Sequence, residues 1–349
     1  MPRPARTPKV QETRLGPKNY AKLKEKRLKN LGAGDTELLL DFLPAEEAEE
    51  ILKALVPMEE GSITSPTDGL CWQRMDYYGL PVPRLVCIQG EATEDGSMPL
   101  YRHPVDVQPP IATFTPAVQR VVAAARKRFG FPFNHALIQL YRSGEDSISV
   151  HTDKTLDIAH GTPIVNVSYG ASRSFLLLSK AKSKCGSGAE VRQHLTLLHN
   201  SALSLGLETN RLFTHQIAPD RRAEGQRRSD ETAFGGARVS LTLRVVATFR
   251  CDDGIYGQGA RCKTRAQLNR AKGPQEDKED EVEALRMAEA FRRENVEADF
   301  DWKTHYGAGF DIITPNYVQQ KPTLTLEANQ VRRDENTGSE KAFSSATVK

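Results

Sequence analysis

PIVNVSYGASRSFLLLS, residues 163–179, alternates apolar and polar side chains through Val165, Asn166, Val167 and Ser168. It breaks at a Gly-Ala-Ser corner and resumes as a second short run. Residues two apart share one face of a strand, so this period of two with a turn inside it predicts two consecutive β-strands. The same period extends in both directions. Upstream lie "ALIQLY" (136–141) and "SISVHTD" (147–153), and downstream "VRQHLTLL" (191–198), "SALSLG" (201–206), "RLFTHQI" (211–217) and "ARVSLTLRVVATF" (237–249). Eight short strands with tight connections predict a mainly β protein with flanking helices, its core a double-stranded β-helix, or jelly roll, over about 136–250. "YGASR" and "HNSA" read as turns between neighbouring strands. "AKSKCGSGAE" reads as a flexible hairpin loop, and "APDRRAEGQRRSDETAFGG" (218–236) as a long, charged, mobile connection.

Around that core the composition changes. "AEEAEEILKAL" (45–55) and "TPAVQRVVAAARKRFG" (115–130) read as amphipathic helices, the second with Pro116 in its first turn and a closing Gly130. Residues 60–112 are rich in Gly, Pro and aromatics and read as loop-dominated, with short candidate strands such as "PRLVCIQG" (83–90). Residues 1–33 are strongly basic, with ten Lys/Arg against two Glu in the first thirty, and read as a disordered tail suited to phosphate contact or nuclear import. Beyond the core, 251–320 reads as a helical and aromatic extension and 321–349 as a polar tail. In that extension Val282, Leu285, Ala288 and Phe291 fall along one helical face. Gly257-x-Gly259-x-x-Cys262 lacks the third glycine of a dinucleotide loop and reads as a turn returning the chain onto the barrel.

The 349 residues contain no apolar run long enough for a membrane span, and the N-terminus has no secretory apolar core. Five scattered cysteines without C-x-x-C spacing argue against a disulfide framework and a zinc knuckle. A monomer in the nucleus or cytoplasm is the expectation.

Chemistry concentrates at the end of the 147–153 strand. His151-Thr152-Asp153 places an imidazole and a carboxylate on one face, two ligands of a possible two-histidine-one-carboxylate metal face. By itself this is weak, because eight histidines predict about one such match by chance. His194, His199 and His215 are the candidates for a third ligand. Downstream, Arg238, Ser240, Thr242 and Arg244 alternate with Val239, Leu241 and Leu243. Turned inward, the polar set needs an anionic partner such as a dicarboxylate. Turned outward, it is a solvated face.

Taken in order, "LIQLYRSGEDSISVHTDK", "PIVNVSYGASRSFLLL", a later histidine and "RVSLTLR" resemble the AlkB-like branch of the Fe(II)/2-oxoglutarate-dependent dioxygenases over about residues 75–250. The resemblance implies that His151, Asp153 and His215 ligate Fe(II). It further implies that Arg238 and Tyr141 hold 2-oxoglutarate, and that Gln139, Ser240, Thr242 and Arg244 complete the pocket where O2 is consumed. It implies oxidative demethylation of alkylated bases in DNA or RNA, with release of formaldehyde, succinate and CO2. The alternative is a hydroxylase or demethylase of a protein or small molecule on the same scaffold. A non-catalytic binding module is disfavoured by the complete residue set. Three departures stand out: Gln139 and Ser240 where the family often has Asn, and Lys154-Thr155 where DNA-repair members often carry acidic residues. A substrate lid is implied within 71–90, with Trp72, Tyr77 and Tyr78 as stacking candidates and Arg74 and Arg84 as phosphate contacts.

Overall fold

The strand Arg238–Arg244 is buried along its whole length, on both faces. Val239, Leu241 and Leu243 enter one apolar cluster with Ile51, Leu52 and Leu55 of the helix Ala45–Leu55 and Val118, Val121 and Val122 of the helix Pro116–Phe129. The polar set therefore points the other way, into the molecule, and is not a solvated face. Both helices form where the sequence predicts. The first carries Glu46 and Glu47 in its first turn, where the helix dipole favours anions. The second starts at Pro116 and stops at Gly130, whose φ of 77° suits glycine.

The computed structural model describes residues 10–23, 25–56, 70–77, 79–180, 190–268 and 277–314. Two sheets face each other. The larger runs Arg27–Leu31, Thr36–Leu39, Ser201–Leu205, Ile164–Gly170, Arg238–Arg244, His135–Tyr141, Leu80–Gly90 and Gln73–Tyr77, with Ile111–Thr113 beside Leu80–Gly90. The smaller runs Val10–Leu15, Glu190–Leu197, Arg173–Ser179, Phe213–Ile217 and Ile148–His151. Between them Tyr141, Ile164, Leu203 and Leu205 pack against Phe175, Leu177, Phe213 and Ile217. The "YGASR" and "HNSA" turns do not join sheet neighbours, as expected from the sequence, but carry the chain from one sheet to the other. That repeated crossing makes the double-stranded β-helix.

Several boundaries differ from the sequence reading. The basic arm is ordered from Val10, whose strand runs parallel to Glu190–Leu197, and Arg27–Leu31 joins the large sheet. Tyr20 anchors it: its buried hydroxyl donates to the Leu15 carbonyl at 3.1 Å and accepts from Thr196 N at 3.0 Å. Residues 1–9 lie outside the described residues, as do the polar tail 321–349 and 181–189, most of the expected hairpin loop.

The expected strand 211–217 begins as a helix, Leu207–Leu212, because the carboxylate of distant Asp35 accepts from the backbone N–H groups of Glu208 (2.9 Å) and Thr209 (3.2 Å). The 237–249 run breaks after Arg244, and Thr248–Cys251 pairs instead with Gly254–Gly257 and Met98–Pro99. Within 60–112, the expected strand 83–90 is part of Leu80–Gly90, which pairs antiparallel with a strand the sequence reading did not pick out, Gln73–Tyr77. The 218–236 connection contains short helices and is braced by Arg222, Arg227 and Arg228 paired with Asp220, Asp230 and Glu231. Gly259 packs tightly: a Cβ there would lie 2.3 Å from Asp157 Oδ1.

The C-terminal extension forms the helices Asp277–Val296 and Trp302–Tyr306, which enclose Leu156 with Met287, Phe291, Phe300 and Phe310. Of the expected helical face only Phe291 is buried, while Val282 and Leu285 are exposed. No described helix is long and apolar enough to cross a membrane.

Candidate active site

His215 and His151 are opposite one another across the antiparallel pair Phe213–Ile217 and Ile148–His151, and their ring centroids lie 4.3 Å apart. His215 Nε2 is 3.6 Å from Asp153 Oδ2, and Phe175 stacks on the His215 ring at 5.3 Å. Of the other two candidate ligands, His194 sits 3.1 Å from Glu12, and His199 accepts from Gly170 N on the far side of the large sheet. Only His215 approaches the H-x-D.

The histidine tautomer at 151 is fixed by chemistry. Its Nδ1 is 2.7 Å from the Ser149 carbonyl, which can only accept, so Nδ1 carries the proton and Nε2 keeps its lone pair. Burial holds both imidazoles below the usual histidine range, His151 well below it and His215 against the pull of Asp153. Burial raises the Asp153 carboxyl, but Arg244, His215 and His151 outweigh it and hold the group below the usual carboxylate range. Two neutral imidazoles and one carboxylate are the donor set a hexacoordinate divalent metal uses. In the structure Asp153 Oδ1 is turned to Arg244 and to the Tyr101 hydroxyl at 3.2 Å. Among the described residues, no group of three or more His, Cys, Asp or Glu side chains is gathered as a formed metal cluster.

The three side chains project into a cavity of about 470 Å³ between the sheets, also lined by Gln139, Tyr141, Asn166, Thr242 and Arg244. Strand register explains the cluster: Tyr141 is opposite Arg238, Gln139 opposite Ser240, and Asn166 opposite Thr242. Arg238 lies behind this wall, 5.0 Å over the Tyr141 ring, donating to Ser168 Oγ at 2.8 Å and Asn166 Oδ1 at 3.2 Å. Its Nε and Nη1, Ser240 Oγ, and Nε and Nη1 of Arg244 are buried without partners. Burial draws the Arg238 guanidinium down to about 10, which still leaves it charged at neutral pH. A desolvated cation with idle donors fits a bound carboxylate.

The substrate candidates divide. Tyr77 and Arg84 line the cavity, with Arg84 donating to the Ser147 carbonyl at 3.1 Å. Trp72 is buried in the apolar cluster under the helices and does not reach the cavity, and Arg74 is exposed away from it. Tyr78 lies outside the described residues.

Sequence reasoning missed Tyr101, His103, Asn210 and Asn295. Tyr101 bridges Asp153 and Lys154 N, and His103 stacks on it at 5.6 Å and lines the cavity. Asn210 holds Asp153 from behind through both backbone groups, accepting at 3.0 Å and donating at 2.9 Å. None of these sits in a recognisable spacing, because each reaches the site from an element distant in sequence.

A family model described as the 2OG-Fe(II) oxygenase superfamily matches residues 35–244. The chain belongs to the 2OG-Fe(II) oxygenase superfamily. Membership implies Fe(II), 2-oxoglutarate and O2. The chain is 35% identical over 105 residues to human DNA oxidative demethylase ALKBH2, covering 29% of this chain and 40% of that one. With the mouse protein of the same name it shares 30% over 134 residues, 38% of this chain and 52% of that one. It thus spans about half or less of the curated relatives it matches. Solved structures similar to this oxygenase include OsALKBH1 (15% identity, TM-score 0.33, covering 60% of this chain and 96% of that one). Another is a prolyl hydroxylase from Trichoplax adhaerens in complex with a hypoxia inducible factor peptide (10%, TM-score 0.35, 63% and 83%).

Proposed function

We propose that this chain is an oxidative demethylase of alkylated nucleic-acid bases. His151, Asp153 and His215 would hold Fe(II). Arg238, with Tyr141, would hold a carboxylate of 2-oxoglutarate, and Gln139, Ser240, Thr242 and Arg244 would complete its pocket. The observation that carries this reading is the buried Arg238, which has idle donors and packs directly behind Tyr141 and Asn166, two residues in the wall of the cavity the histidines enter. An unpaired buried guanidinium costs several kcal/mol, a cost that a dicarboxylate offsets.

With its co-substrates, the metal supplies the oxidising power that hydroxylates an N-methyl carbon. The co-substrate 2-oxoglutarate would lose CO2 and take up one O2 oxygen to become succinate. The other oxygen would enter an N-methyl C–H bond, and the N-hydroxymethyl group would leave as formaldehyde, its hydroxyl proton passing to the nitrogen. The chain's own contribution is placement. The Ser149 carbonyl orients His151, Asn210 fixes the Asp153 backbone, and Phe175, Ile164 and Leu205 keep the inner wall apolar. At the mouth, the Gln73–Tyr77 and Leu80–Gly90 hairpin presents Tyr77 and Leu80, 42% and 69% exposed, to a large substrate.

The relatives named DNA oxidative demethylases and the basic N-terminal segment favour DNA or RNA over a free metabolite. The loop arginines Arg222, Arg227 and Arg228 do not add to that case, being paired within their loop. The test is release of succinate and formaldehyde in the presence of N-methylated DNA or RNA oligonucleotides, the unmodified oligonucleotides, and a methylated peptide. Stimulation of about tenfold or more by the methylated oligonucleotide alone, abolished in His151→Ala, is the expected result. Stimulation by peptide alone would move the substrate to protein, and full turnover in His151→Ala would remove the metal assignment.

A further inference from the structure

Lys154 and Thr155, directly after the H-x-D, are tied to the C-terminal extension; Lys154 lines the cavity from within, whereas Thr155 is not among the lining residues. Lys154 is 2% exposed, and both residues are held by the end of the helix Asp277–Val296. Glu294 accepts from Thr155 N at 3.0 Å and is bound by the hydroxyls of Thr155 and Tyr306. Trp302 Nε1 donates to the Thr155 carbonyl at 3.2 Å. Next to Glu294, Asn295 Oδ1 accepts from Thr152 N at 3.0 Å, from Thr152 Oγ1 at 3.0 Å and from Lys154 Nζ. Asn295 also lines the cavity.

We propose that Asn295, a residue of the C-terminal extension, is a positioning residue of the metal site, holding the His151-Thr152-Asp153 turn in ligating geometry. The inference rests on the assignment of His151, Asp153 and His215 as metal ligands. Thr152 lies between two of those ligands, and its backbone N–H and hydroxyl both end on one oxygen of Asn295. Asn210 grips the next residue, Asp153, from the barrel side. The turn is therefore held from two directions, one inside the jelly roll and one from outside it. The extension is also fastened to the barrel at further points. Arg102, fully buried and paired with Asp157, donates to the carbonyls of Phe310 at 2.7 Å and Ile312 at 3.0 Å. Lys180 Nζ donates to the Glu294 carbonyl at 2.6 Å, so the helix end itself is pinned to the small sheet.

The role belongs to an acceptor oxygen, so it separates from bulk stability. Asn295→Asp keeps the acceptor and places a carboxylate beside Lys154, whereas Asn295→Ala removes the acceptor. Fe(II) is titrated anaerobically into the full-length chain with 2-oxoglutarate present, and the charge-transfer absorption gives the metal affinity. Residues that orient metal ligands commonly account for ten- to a hundredfold in affinity. Asn295→Ala should weaken binding by about tenfold or more, and Asn295→Asp should stay within about threefold of the parent. Thr152→Val, which deletes one donor from the other side of the contact, should give a smaller loss in the same direction and serves if Asn295→Ala does not fold. Parental affinity in the variants that lack the contact, or an equal loss in Asn295→Asp and Asn295→Ala, overturns the proposal. A parent chain that binds no Fe(II) overturns the ligand assignment, and the proposal with it, a result distinct from a parent that binds and a variant that binds equally.

Discussion

At the scale of the residue, Arg238 is the most informative side chain. It is 1% exposed, charged, and has two idle donors. The alternation of Arg238, Ser240, Thr242 and Arg244 with Val239, Leu241 and Leu243 is legible in the sequence, but its direction is not. Two helices distant in sequence cover the apolar face and so turn the polar face inward. Arg238→Lys keeps the charge and loses the planar fork that grips a carboxylate through two hydrogen bonds. It should weaken 2-oxoglutarate binding by about ten- to a hundredfold, one to two steps of about 1.4 kcal/mol each. Calorimetric titration of 2-oxoglutarate into the Fe(II)-loaded chain checks this, with Fe(II) affinity unchanged as the control. An unchanged affinity for 2-oxoglutarate would remove Arg238 from the co-substrate pocket.

At the scale of the element, the extension helix Asp277–Val296 shows where local pattern reading fails. Its apolar spacing selects Val282 and Leu285, yet both are exposed, and the buried face runs through Glu283, Ala284, Met287, Ala290, Phe291 and Glu294. Two glutamates displace the apolar choice because each has partners waiting. Glu283 meets Arg261 at 3.1 Å and accepts from Asp311 N at 3.0 Å, and Glu294 meets Thr155 and Tyr306. Such partners lie on other elements, so no window of sequence reveals them. By contrast, the strands Arg173–Ser179 and His135–Tyr141 fall within a residue of their predicted limits, because a period of two bounded by turn residues is local information. Phe291 is the largest fully buried side chain of the helix, 1% exposed and edge-on to Tyr306 at 6.1 Å. Phe291→Ala should destabilise the chain by about 3–5 kcal/mol, read as a lower urea midpoint at unchanged slope. A loss under about 1 kcal/mol would mean that the extension is not fastened through this cluster.

At the scale of the whole molecule, the interior of the jelly roll is a place where histidine is held neutral. Both ring nitrogens of His103 are buried without partners, and burial, reinforced by Arg244, draws its pKa down to about 4 from an ordinary 6.5. His135 is pushed well below 6.5 by the same two causes. A depressed histidine pKa means that, between about 4 and 6.5, the unfolded chain binds protons that the folded chain does not. Stability then falls as pH is lowered through that window. The Asp153 carboxyl, also depressed, acts in a different range: its contribution is present above its ordinary 3.8 and is lost only as pH falls below it. The two effects can therefore be separated. For the metal-free chain, the urea midpoint should decline from pH 7.5 to pH 4.5, and His103→Phe should flatten that decline by removing one titrating group while preserving an aromatic ring against Tyr101. Parallel curves for parent and variant would show that His103 is already protonated, or already solvated, in the folded chain. A variant curve that flattens only above pH 4 would locate the effect at His103 and leave the acid limb to the carboxylates.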